Sequence, residues 1–139
     1  MKKIINVLMA CIVLALATPA YAITPETSAS NEISPFYIGT VTASTALWIE
    51  PNGSATCSGD VYLKPGYTGK AVLSIQQRIS GNWETQASWS EQGKPSVTLS
   101  KTYIALSGFE YKTILTVNVF DSQGNYVETV SVASTVVPF

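Results

Sequence analysis

The chain has 139 residues, 46% of them hydrophobic and only 12% charged, with eight basic against nine acidic residues. It contains no histidine, which removes the usual general base, the Ser-His and Cys-His dyads and the commonest metal ligand together. Beyond Lys2 and Lys3 the basic residues are scattered singly, so no electrostatic footprint for nucleic acid is visible, and neither a cofactor nor a metal site is expected.

Lys2 and Lys3 precede a run from Ile4 to Ala17 that is apolar except for Asn6, and Thr18-Pro19-Ala20-Tyr21-Ala22 follows with small residues at cleavage spacing. This pattern predicts a signal-peptide helix over residues 1–22, cut after Ala22. The run is shorter than the roughly 20 apolar residues that span a bilayer, so no stable membrane span is expected after cleavage. A rival signal, Leu8-Met9-Ala10-Cys11, resembles the bacterial lipobox and would give a lipoprotein anchored at Cys11. Cutting there would shorten the apolar core to Ile4–Ala10 and leave Ile12 to Ala17 on the mature N-terminus, where lipoproteins turn polar. The expected product is therefore secreted, with the lipoprotein as the alternative.

Residues 23–35, "ITPETSASNEISP", are polar with prolines near both ends and read as a flexible leader. Residues 36–139 suit one domain with one core. With Cys11 removed, Cys57 stands alone and can form no intramolecular disulfide. Ala55, Cys57, Val61 and Leu63 share one face of an alternating segment, which makes Cys57 a core thiol.

Taken in order, Ile38, Leu47 and Ile49 mark an initial strand or pair of strands. "PNGS" at 51–54 then predicts an Asn-Gly hairpin turn of type I′, leading into the Cys57 strand and the turn "KPGYTG" at 64–69. Ala71, Leu73 and Ile75 alternate with Val72, Ser74, Gln76 and Arg78, and "SGN" at 80–82 turns the chain back. The return strand reads with Trp83, Thr85, Ala87 and Trp89 on one face, which gives Trp83 and Trp89 structural roles. Val97 and Leu99 follow; then Tyr111, Thr113, Leu115, Val117 and Val119 share a face, and "DSQGN" at 121–125 opens a last strand ending near Pro138. About seven strands with no helix signal beyond the signal peptide predict an all-β, antiparallel, immunoglobulin-like β-sandwich.

The stretch "LSGFEYKTILTVNVFDSQG", residues 106–124, resembles the corner of immunoglobulin-like and fibronectin type III domains at which a tyrosine hydroxyl bonds back to the chain. The resemblance makes Tyr111 that tyrosine and implies no function. A second resemblance covers most of the mature chain, through "SPFYI" at 34–38, "GSATCSGDV" at 53–61, "GNWETQASWS" at 81–90, "GFEYK" at 108–112 and "VFDSQGNYVET" at 119–129. In this order they are similar to a family of small exported proteins of Gram-positive, often spore-forming, bacteria to which no activity is assigned. The resemblance implies a single-membrane bacterium and carries over no catalytic residue.

Three motifs read more simply as structure. "GYTGKA" at 66–71 has its glycines too close for a phosphate loop and Ala71 where Ser or Thr is required. Glu84, Glu91 and Glu110 could form a glycosidase pair only if they converged, and solvated positions explain them. Asn52-Gly53-Ser54 is a formal glycosylation sequon already explained as a turn. The aromatic residues carry the remaining signal. Trp48, Tyr62 and Phe120 point outward by alternation, and Tyr67 and Tyr126 lie in or beside turns, although another strand or the leader is expected to cover Trp48. These five are the candidate surface contacts. They favour a non-catalytic extracellular module that binds cell-wall glycan or another extracellular protein; the alternative is a secreted antagonist acting on neighbouring cells.

Overall fold

The structure, a computed structural model, describes residues 29–32 and 37–139. The expected signal peptide, its cleavage site and Cys11 lie outside the described residues. Nine strands follow in order: β1 (Ala29–Glu32), β2 (Thr40–Ile49), β3 (Ser54–Leu63), β4 (Thr68–Ile79), β5 (Asn82–Gly93), β6 (Ser96–Ile104), β7 (Glu110–Phe120), β8 (Tyr126–Ala133) and β9 (Val137–Pro138). They form two antiparallel sheets, ordered β1-β2-β3-β6 and β5-β4-β7-β8, with β9 paired to the start of β7. The chain changes sheets after β3, after β5 and after β6, and hairpins join β2 to β3, β4 to β5 and β7 to β8. Among the described residues there is no helix, hence none long and apolar enough to cross a membrane.

Alternation builds the interior. Leu47, Ala55, Cys57, Val61, Val97 and Leu99 from the first sheet meet Leu73, Ile75, Tyr111, Leu115, Val117, Val119 and Val130 from the second. Gly59 faces the same interior: a Cβ there would lie 2.9 Å from Leu115 Cδ1, so the missing side chain is what admits Leu115. Beside it, Thr45 Oγ1 donates to the Ser58 carbonyl at 2.8 Å and shares a 2.8 Å hydrogen bond with Thr113 Oγ1 of the opposite sheet. The Thr113 amide in turn donates to Ser134 Oγ at 2.9 Å. Among the described residues no buried side-chain nitrogen or oxygen lacks a partner.

Four sequence expectations are corrected. The turn at 51–54 is not type I′. The Gly53 amide donates to the Glu50 carbonyl at 2.9 Å, which puts Pro51 and Asn52 at the centre, and only Gly53 has a positive φ, of 90°. Proline's fixed negative φ suits the second position of a type I turn, and Gly53 supplies the left-handed residue that follows it. The initial segment is a single strand beginning at Thr40, and Ile38 lies outside it and exposed. Part of the 23–35 leader is strand, because Ala29–Glu32 pairs with the free edge of β2 from Ala46 to Ala43.

The fourth correction concerns β5. Leu73 pairs with Trp89 and Ile75 with Ala87, but Gln76 pairs with Thr85 and Arg78 with Trp83, so Gln86 is an extra residue in the ladder. A one-residue bulge reverses facing beyond it. Trp89 therefore packs toward the core, whereas Trp83 and Thr85 lie on the outer face.

Two contacts tie the ends of the sandwich. Tyr111 is fully buried, and its hydroxyl accepts from the Leu106 amide at 2.8 Å and donates to the Leu106 carbonyl at 2.9 Å, fixing the β6–β7 connection. Glu128, on the inner side of β8, accepts from the amides of Ile38, Gly39 and Thr40 at 2.7–2.9 Å and from Thr40 Oγ1 at 2.9 Å. Burial alone raises its pKa, but these four hydrogen bonds outweigh burial and hold the carboxyl below its ordinary 4.5.

Removing the hydroxyl in Tyr111→Phe is expected to cost about 1–2 kcal/mol in urea denaturation, with an unchanged slope; unaltered stability would deny the corner bond any role. An acid with a depressed folded-state pKa stabilises above its unfolded value and loses that contribution as pH falls through the folded one. Glu128→Gln should therefore be less stable than wild type by about 2 kcal/mol at pH 7 and should lose less stability below pH 4.5. Parallel pH profiles for the two proteins would show that the clamp does not contribute.

Candidate functional site

The outer face of the second sheet gathers what alternation along one strand cannot show. In β7, Asn118 and Phe120 point outward, opposite the inward Val117 and Val119. On β8, Val119 pairs with Glu128 but Phe120 pairs with Tyr126, so an extra residue at Val127 brings Tyr126 onto the outer face beside Phe120. The two rings meet nearly edge to face, with centroids 6.2 Å apart and planes at 75°. The Lys70 ammonium lies 4.9 Å from the centre of the Phe120 ring. Tyr126 is 60% exposed, and its hydroxyl shares a 2.7 Å hydrogen bond with Thr129 Oγ1, which donates to Asn118 Oδ1 at 2.7 Å. This chain orients both the phenol ring and the amide.

Next to these groups a depression of about 410 Å³ is lined by Lys70, Val72, Ser90, Gln92 and Asn118 among others. A second, of about 280 Å³, shares Lys70 and Gln92 with it and extends to Phe120 and the Asp121 turn. Asp121 is occupied by that turn: hydrogen bonds from Asn125, Gln123 and Gly124, the amide of Asn125 contributing most, hold its pKa below the ordinary value. The arrangement sets an exposed ring, Tyr126, beside a shallow groove that offers amide and hydroxyl donors and acceptors and a cation.

A second aromatic group stands at the other end of the same face. The Trp83 ring has the Lys112 ammonium 4.4 Å from its centre and the Arg78 guanidinium at 5.9 Å, and Arg78 forms an ion pair with Glu110 at 3.0 Å. Between the two groups run hydroxyl and amide pairs: Ser74 with Ser88, Thr116 with Ser131, and Gln76 with Thr85.

Of the five expected surface aromatics, the structure brings only Phe120 and Tyr126 together. Trp48 and Tyr62 are 67% and 55% exposed on the outer face of the first sheet. Trp48 pairs across to Thr56 and Tyr62 to Thr42, at opposite ends of β3, and Trp48 is uncovered, contrary to the expected shielding. Tyr67 is half-buried against the core and packs on Gly39, where a Cβ would lie 2.7 Å from its ring, so it is a packing residue. Cys57 is buried, and burial pushes its thiol up to about 12. Glu84 and Glu91 stand on the inner rim of β5, roughly 23 Å apart along the strand, and Glu110 is on the outer face with Arg78, so the three acids do not converge. Among the described residues no group of three His, Cys, Asp or Glu side chains could hold a metal ion.

Lys70, Gln92, Asn118, Thr129, Arg78 and Lys112 belong to the site without having been singled out from sequence. The outward facing of Lys70 and Arg78 on β4 and of Lys112 and Asn118 on β7 follows from alternation, but their meeting with Gln92 of β5 and Thr129 of β8 depends on cross-strand register. Compared with known proteins, the chain matches no family model, no curated protein and no solved structure.

A thiol that ionises only near pH 12 is inert toward disulfide reagents. Cys57 should react with Ellman's reagent in native protein far more slowly than in urea-unfolded protein; equal rates would place the thiol at the surface.

Proposed function

We propose that this protein is a secreted, non-catalytic module that binds a polysaccharide on the outer face of the β5-β4-β7-β8 sheet. The observation that carries the reading is an exposed ring, Tyr126, linked through Thr129 to Asn118 and standing on the same sheet face as a groove that Asn118, Gln92 and Lys70 line. A sugar ring has an apolar face that stacks on an aromatic ring and an equatorial rim of hydroxyls that exchange hydrogen bonds with amides. Both needs are met on this one face, the ring at Tyr126 and the amides in the groove next to Phe120. A protein partner would draw on a larger contiguous apolar patch, and this face is mostly Ser, Thr, Gln and Asn.

Export is supported by the basic start, the apolar run and the small residues ending at Ala22. An immunoglobulin-like identity of the sandwich is supported by its three sheet changes and by the Tyr111 hydroxyl at the corner after β6. The resemblance to exported proteins of Gram-positive bacteria supports the culture medium or cell wall as the place of action.

The test is retention of purified protein on a panel of insoluble cell-wall and plant polysaccharides. Tyr126→Ala should weaken retention about tenfold, the loss of roughly 1.4 kcal/mol of stacking, while Trp48→Ala on the opposite face should leave it unchanged. Retention by no polysaccharide, or loss in Trp48→Ala instead, would sink the assignment.

A further inference from the structure

We infer that the polysaccharide is acidic, a chain of sugar rings bearing carboxylates, and that it runs along the strands from the Lys70 group to the Lys112 group. The inference rests on the binding reading above and adds the chemistry of the ligand. Among the described residues Lys70 and Lys112 form no ion pair; each instead sits over an aromatic ring, Lys70 over Phe120 at 4.9 Å and Lys112 over Trp83 at 4.4 Å. A carboxylate partner would neutralise a lysine, whereas a ring fixes the ammonium in place and leaves its charge available. Two oriented cations without ion pairs thus stand on one sheet face of a chain whose net charge is −1, and Asp121, which lines the same depression as Lys70, is held by hydrogen bonds within its own turn. The one acid on the strands of that face, Glu110, is taken up by Arg78.

The spacing keeps a single small anion from engaging both cations. Lys70 pairs with Asn118 and Lys112 pairs with Gln76, which separates the cations by six residues, roughly 20 Å of strand. A single carboxylate or phosphate cannot reach both, and a polymer with repeated charges can. Tyr126 decides between kinds of polymer. Its exposed ring rewards a ligand with ring faces, which a polyol-phosphate chain lacks and a polyuronide has. The hydroxyl and amide rows between the cations match the uncharged rims of intervening sugars.

Affinity electrophoresis with soluble polygalacturonate, its fully methyl-esterified form and polyglycerol phosphate separates these possibilities. Polygalacturonate should retard the protein, with the effect falling severalfold between 50 and 500 mM salt, roughly as expected for a few screened contacts. The methyl ester should bind at least about tenfold more weakly, a difference of about 1.4 kcal/mol. Lys70→Gln and Lys112→Gln should each weaken binding about three- to tenfold, about 0.7–1.4 kcal/mol, with unchanged circular dichroism. Equal binding of the ester would overturn the charge inference while leaving polysaccharide binding intact. Polyglycerol phosphate binding as tightly as polygalacturonate would overturn the preference for sugar rings. Failure of polygalacturonate, with Tyr126-dependent retention on a neutral polysaccharide, would overturn this inference alone; failure on every polysaccharide would overturn both.

Discussion

An antiparallel ladder reverses the facing of every side chain beyond a one-residue insertion, and the outer face of the second sheet depends on two such insertions. Without the extra residue at Gln86, Trp83 would share the core-facing side of β5 with Ala87 and Trp89, where the edge of the sandwich has Gln77 as its neighbour. Without the one at Val127, Tyr126 would face inward with Glu128 and Val130. Each bulge lies on an edge strand, where an unpaired residue disturbs one ladder only. Each moves an aromatic residue out of the interior: Trp83 comes to lie beside Arg78 and Lys112, and Tyr126 beside Phe120, whose ring carries Lys70. The cost of two irregular ladders is thus borne where it is smallest, and the result is one face carrying both aromatic–cation groups.

That irregularity is tolerable because the two sheets are held together by contacts that do not involve it. No disulfide links them, since Cys57 is free and buried. The bridge is instead polar at the centre, where Thr45 and Thr113 hydrogen-bond across the interior, and Gly59 lets Leu115 come close beside them. A buried hydroxyl pair is stabilising only when every member is satisfied, and here the Ser58 carbonyl and Ser134 complete it. At one end Tyr111 ties down the β6–β7 connection; at the edge Glu128 gathers three successive amides leading into β2. Residues 37–40 are therefore fastened to β8, and the sandwich is closed on the side where the two sheets' edges meet.

The inward positions of these strands were legible from sequence because alternation is a local signal. Leu73 and Ile75, Val97 and Leu99, and the series from Tyr111 to Val119 are all buried as the period of two requires. The bulges were not legible, because "WETQASW" alternates as well without an insertion as with one. Only pairing to β4, with Gln77 buried and Arg78 needing solvent, selects the displaced register. The turn after β2 failed for a related reason: the Asn-Gly signal is sound, but Pro51 recruits the preceding residue and shifts the turn by one position. The site suffered most. Phe120 and Tyr126 could be named as outward aromatics, but Lys70 lies some 50 residues earlier in the chain and meets Phe120 only through β4–β7 pairing.

The edges and the other face differ from this face in ways that bear on the proposed binding. Lys101 on β6 pairs with buried Cys57, and Glu84 and Glu91 on β5 pair with buried Gln77 and Ala71, so these two edge strands point charge toward the interior rim. A strand added to either edge would bury those charges, which opposes sheet extension by another chain. On the first sheet's outer face, Trp48 of β2 and Tyr62 of β3 stand at opposite ends of the β2–β3 ladder among Thr and Ser side chains, with Asp60 next to Tyr62 on that face of β3. That face has isolated rings and an acid beside one of them; the second sheet's face has rings with cations already in place. A ligand that needs stacking, hydrogen bonding and positive charge together finds all three on the second sheet alone.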